Sequence, residues 1–204
     1  MTPRPAVPLA LAAALLAGAA TTACEQGEST VQVKPDDRQI AEAVLAAPES
    51  RRAEAGVLGY GSDGRVTTLR ESSNELLCLA DDPENEGFQV SCYHRDLEPF
   101  MARGRELRRK GMEGEAVDSV RFAEIESGEL AYPDHPAALF TLAGKSAPED
   151  PAAGEPPAES QRLTVLYVRG ATAEQLGLPA KPSGGVPWLM AQGRPDAHVM
   201  ISSP

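Results

Sequence analysis

Aromatic side chains are scarce: Phe, Tyr and Trp together make up 4% of the 204 residues, with a single Trp. Any core must therefore lean on Leu, Val and Ala, and 42% hydrophobic residues suffice for one. Positive charge is also short, at 19 Lys+Arg against 30 Asp+Glu, a net −11. No basic stripe offsets this, so the phosphate-tracking surface of a nucleic-acid binder is excluded. Histidine occurs three times, at His94, His135 and His198, without an i, i+4 pair or a His-Glu-x-x-His frame. No Gly-x-Ser-x-Gly elbow is present, and no internal repeat. What is plentiful is punctuation: 18 Gly and 18 Pro call for many turns in a chain of one domain's length.

The first 23 residues lack acids. Arg4 gives a short positive start, and Leu9 to Ala20 is almost pure Leu and Ala. Twelve residues are too few for a helix to span a bilayer of about 30 Å, but they suit the apolar middle of an export signal. The run ends in Thr21-Thr22-Ala23-Cys24, small residues followed by cysteine. This resembles the lipobox of bacterial lipoproteins, with Thr21 standing where that family has Leu. The resemblance implies cleavage after residue 23, a diacylglyceryl thioether on Cys24 and acyl chains such as palmitate. The mature protein is then expected in the cell envelope, on the exported side of the membrane, periplasmic or extracellular. Losing Arg4 makes it one unit more negative, so acyl chains rather than charge must supply its membrane contact.

Three cysteines in an exported chain leave an odd one. With Cys24 lipidated, Cys78 and Cys92 remain. They lie symmetrically about Asn85, the middle of the acidic stretch 81–87. If the flanking segments pair as a hairpin, the two face each other across antiparallel strands, at Cα separations of about 4.5–5.5 Å, where a disulfide needs about 4.4–6.8 Å. Two buried free thiols are the rival. A redox-active pair lacks its Cys-x-x-Cys spacing.

Along the mature chain, residues 24–35 read as a flexible tether and 36–204 as one domain. A helix is expected from Asp36 to Pro48 with Ile40, Ala41, Val44 and Leu45 on its buried face. Two strand pairs follow, Val57 to Tyr60 with Arg65 to Glu71, then Glu75 to Ala80 with Phe88 to Tyr93. Asp96 is expected to cap a helix running to Lys110 and closed by Gly111. Residues 115–127 form a further helix, Ala137 to Ala143 a strand, and 144–161 a mobile Pro/Ala/acid loop. Arg162 to Arg169 is the richest in β-formers. A one-turn helix at 172–176 and a closing strand from Ala197 to Ile201 complete the pattern. The fold class is α+β: an antiparallel sheet with a few helices on one face.

Two short matches imitate a protein kinase: Gly59-Tyr60-Gly61-Ser62-Asp63-Gly64-Arg65-Val66 and His94-Arg95-Asp96-Leu97. The chemistry is missing. The next lysine after the glycines is Lys110, Met101 stands where a metal-binding Asn belongs, and no Asp-Phe-Gly occurs. The glycine run reads as a hairpin turn. The stretch Asp82 to Gly87 echoes the start of a calcium loop, but Tyr93 occupies the position of the bidentate Glu. No metal or other cofactor is expected, and hydrogen-bonded structural histidines are the default.

The order Val57-Leu58-Gly59-Tyr60, Thr68 to Asn74, Cys78-Leu79-Ala80-Asp81-Asp82-Pro83, Cys92, Trp188-Leu189-Met190 and His198-Val199-Met200 resembles an uncharacterised group of exported bacterial proteins. That resemblance implies a family but no activity. The expected function is that of a non-catalytic cell-envelope lipoprotein, a binding or structural domain. Its expected contacts are the membrane through Cys24 and an envelope protein or small-molecule ligand. The candidate binding residues are Trp188, His198 and His94. The enzymatic alternative is an exported hydrolase or metal-dependent enzyme using His94, Asp96 and His198 in one cleft.

Overall fold

The computed structural model describes residues 1–2 and 32–202. Cys24 and all but the first two residues of the expected export segment lie outside the described residues, as does most of the expected tether. Helix α1 spans Asp36–Ala43 and tightens into a single turn at Val44–Ala46. Then come β1 (Gly56–Tyr60), β2 (Val66–Arg70), β3 (Leu76–Leu79), β4 (Phe88–His94), α2 (Glu98–Arg109), α3 (Glu115–Ser127), β5 (Ala137–Gly144), β6 (Gln161–Tyr167), α4 (Ala173–Leu176), β7 (Trp188–Met190) and β8 (His198–Ser202). The eight strands form one sheet in the order β2-β1-β3-β4-β5-β6-β8-β7. The chain is a single α+β domain.

The sheet is mixed rather than wholly antiparallel. β1 pairs antiparallel with β2 but parallel with β3, Val57 opposite Cys78. The reason is the return stroke: β2 folds back outside β1, so the chain re-enters on β1's free edge running in its original direction. The first turn matches the hairpin reading, with Gly64 at φ 71° and the Gly61 amide donating to the Arg65 carbonyl at 2.9 Å.

Helices cover both faces, not one. Successive residues on β4 look opposite ways. Val90 and Cys92 join Cys78, Leu76 and Leu142 beneath Ala43, Leu45 and Ala46 at the end of α1. Tyr93 instead meets Leu97, Ala137, Leu139 and Met101 on the α2 side. Fully buried leucines such as Leu45 and Leu142 each contribute about 1.5–3 kcal/mol.

The buried face is the expected one widened: Leu45 is fully buried and Ile40 and Val44 pack against the core, but Gln39, Glu42 and Ala43 are inside as well. Long-range partners make this possible. The Tyr60 amide donates to Gln39 Oε1 at 2.8 Å, and Gln39 Nε2 donates to the Tyr60 and Lys34 carbonyls. Glu42 accepts from Lys34 at 2.7 Å and Arg38 at 2.9 Å, so its buried charge is paired. The end of the expected tether is thus docked: Val33 packs on the core and Lys34 also reaches Asp81 at 3.0 Å.

The 144–161 loop, expected to be mobile, is anchored at several points. Arg38 donates to the Pro148 carbonyl at 2.8 Å and Arg52 to that of Gly154 at 2.7 Å, and Pro151 and Pro157 are buried. Asp96 does not cap α2. It sits in a preceding single turn, Arg95–Leu97, and Pro99 occupies the first turn of α2. Strand β7 is an addition to the expected elements.

Candidate functional site

The hairpin of β3 and β4 sets Cys78 directly opposite Cys92. The two are joined by a disulfide, with Cα atoms 3.9 Å apart and no exposure of either residue. Its buried position makes it a staple and not a reactive centre.

Beyond the staple, β4 ends at His94, and the chain turns at once through Asp96. The antiparallel pairing of β4 with β5, Tyr93 opposite Leu139, brings the segment just before β5 alongside. That segment carries His135, 39 residues beyond Asp96. His135 Nε2 lies 2.9 Å from Asp96 Oδ2, and His94 Nδ1 lies 3.6 Å from the same oxygen. The two imidazoles meet edge to face with centroids 5.3 Å apart. One ligand atom from each of the three residues lies within 4.8 Å of the others. His135 Nδ1 stands 3.2 Å from the Pro136 carbonyl. The Asp96 carboxylate, and after it that carbonyl, hold the His135 imidazole above its usual range. His94 and Asp96 are neighbours in the sequence, whereas only strand register joins His135 to them.

His198 is elsewhere. It lies opposite Tyr167 on β6, three strand spacings from β4 in the sheet order, roughly 14 Å at about 4.8 Å per strand. The proposed convergence of His94, Asp96 and His198 is therefore absent. His198 packs against Tyr167 with ring centroids 5.3 Å apart, and its Nδ1 is 2.7 Å from the Asp196 carbonyl. Trp188 lies opposite Met200, and Met190 opposite His198. Trp188 and His198 thus share one sheet face, by the two-residue period of strands. Trp188 is half-buried, and the exposed apolar groups nearby are Val186 and Met190.

Two further features went unread in the sequence. Arg121 on α3 is buried over the Phe100 ring, its guanidinium carbon 3.7 Å from the centroid. It donates to Asp118 at 2.6 Å; Asp118 also accepts from Arg194 at 3.1 Å, and Arg194 reaches Asp196 at 3.0 Å. This chain of charges ties α3 to the turn before β8. Nearby, burial and then Asp196 push the Tyr167 phenol up to about 12. Secondly, a cleft of about 320 Å³ opens between the docked residues 32–34 and the acidic loop, lined by Lys34, Gln39, Tyr60, Asp81, Asp82 and Asn85. Burial first, and then Asp82, raise the Tyr60 phenol well above its usual range. The acidic loop is organised by its own carboxylates: Asp82 caps the Glu84 amide and Asp81 the Gln89 amide.

No family model matches the chain, and neither a curated protein nor a solved structure matches it.

Proposed function

We propose that this protein is an exported lipoprotein whose α+β domain is a non-catalytic binding or structural module, held at a membrane by acyl chains on Cys24. The observation that carries the reading is the distribution of sulfur. Cys78 and Cys92 are joined in the core, as suits an oxidising compartment. The third cysteine closes an acid-free apolar run. Lipidation of Cys24 and pairing of the other two account for all three thiols at once.

The binding face favoured here is the β7–β8 end, where Trp188, Met190 and His198 share a sheet face. An apolar surface beside a titratable ring suits an envelope protein or a small amphipathic ligand. The three-residue catalytic alternative has lost a member, because His198 stands away from His94 and Asp96.

Mass spectrometry of the protein recovered from membranes tests this. The expected result is an N-terminus at Cys24 carrying diacylglyceryl mass, a Cys78–Cys92 linked peptide, and release of C24A into the soluble fraction. Recovery of an intact Met1 with every thiol open to alkylation overturns it.

A further inference from the structure

We propose that His94, Asp96 and His135 form a surface site for a divalent transition-metal ion of the zinc class.

A carbonyl oxygen only accepts, so in the tautomer that uses the 3.2 Å contact with the Pro136 carbonyl, His135 carries its hydrogen on Nδ1. Its Nε2 then presents a lone pair to Asp96 Oδ2 at 2.9 Å, a carboxylate also only accepts, and a proton or a metal ion bridges the two. His94 adds a second lone pair: its Nδ1 accepts the Asp96 backbone N–H at 3.3 Å, so that nitrogen bears no hydrogen, yet it is 3.6 Å from the same Oδ2. Two imidazole nitrogens and one carboxylate oxygen converge. Without an ion, a proton on His135 and the Asp96 amide at His94 satisfy these atoms; a metal ion would engage all three donors in their place.

The dimensions fit. Zinc takes imidazole nitrogen at about 2.0–2.1 Å and carboxylate oxygen at about 2.0–2.2 Å, which places tetrahedral neighbours about 3.3–3.5 Å apart. The observed 2.9 and 3.6 Å bracket that value, and the largest separation within the set is below 4.8 Å. The side chains are 28%, 47% and 46% exposed, so small rotations can close the set. The long bond from the Asp96 amide to His94 is the contact that yields. The Pro136 carbonyl orients the His135 ring, as outer-shell acceptors do for metal-bound histidine. With two nitrogen donors and one carboxylate, the set favours zinc-class ions over magnesium and calcium, which prefer oxygen. On binding, zinc takes the place of the Nε2 proton, which passes to solvent, and a water fills the fourth position. This site is independent of the anchor proposed above.

The test uses the full mature protein in detergent, stripped with chelator and titrated with zinc chloride by calorimetry. One ion per chain is expected, with histidine NMR shifts at His94 and His135. H135Q and D96N are each expected to weaken binding by at least about tenfold, with the disulfide and circular dichroism unchanged. E126Q removes the same charge as D96N from an exposed position on α3 and should leave the affinity intact. Excess magnesium should not compete. Absence of saturable uptake overturns the proposal. So does uptake that survives in H94A/D96N/H135A, or that E126Q weakens as much as D96N, since diffuse attraction to the acidic surface would then be the explanation.

Discussion

At the β3–β4 hairpin the core-facing residues are sealed: Cys78 and Cys92 have no exposure and Val90 has 1%. At the β7 edge Met190 is 43% exposed and Val186, just before β7, is 48%. The same sheet is therefore a stapled, two-sided core in its interior and a thin margin at its β7 edge. Stability is concentrated where α1, the disulfide and Leu142 meet. The β7 edge is three residues long and leaves apolar surface open, which suits contact with another molecule more than holding the fold.

Substitutions should separate the two regions. Leu142→Ala, beneath α1 with no exposure, is expected to cost about 2–5 kcal/mol, read as a fall in the urea midpoint with the slope unchanged. Replacing both Cys78 and Cys92 by Ala releases a loop of 14-residue separation and should cost about 3 kcal/mol. An equally stable variant would show that the hairpin holds its register without the staple. Met190→Ser at the open edge should stay within about 0.5 kcal/mol. A larger loss would mean that the margin belongs to the core after all.

The smallest expected effect is electrostatic and lies on α2. Lys110, and with it Arg103, hold the exposed Glu106 carboxyl down to about 2. A carboxyl with a depressed folded-state value stabilises the fold above its ordinary value of about 4.3 and loses that contribution as the pH falls toward 2. The difference in urea midpoint between the native chain and Glu106→Gln should therefore be present at pH 6 and close by pH 2. A difference constant across that range would remove the ion pairs as its cause.

The staple was legible because its determinants are local: two β-rich segments, a turn-forming acidic stretch, and cysteines equidistant from its centre. The helix at 115–127 and the one-turn helix at 172–176 also have local determinants; in the latter the structure shows Thr172 and Gln175 closing a capping box. Distant partners defeated the reading elsewhere. Gln39 and Glu42 look like surface residues until Tyr60, Lys34 and Arg38 are seen to satisfy them. Strand β7 follows a Pro/Gly-rich stretch and is too short to show alternation. His135 joins His94 and Asp96 only because β5 returns beside β4. The one available clue was Pro136 at the threshold of an apolar strand, fixing where that strand begins.

The docking of Lys34 against Glu42 and Asp81 settles where the polypeptide enters the domain. Asp81 follows the end of β3 and lies beside the start of β4, whereas His94 closes β4. Six residue steps along a strand cover about 20 Å, so entry point and imidazole pair occupy opposite poles of the sheet. The imidazole pair therefore stands a full strand length from the point where residues 32–34 dock.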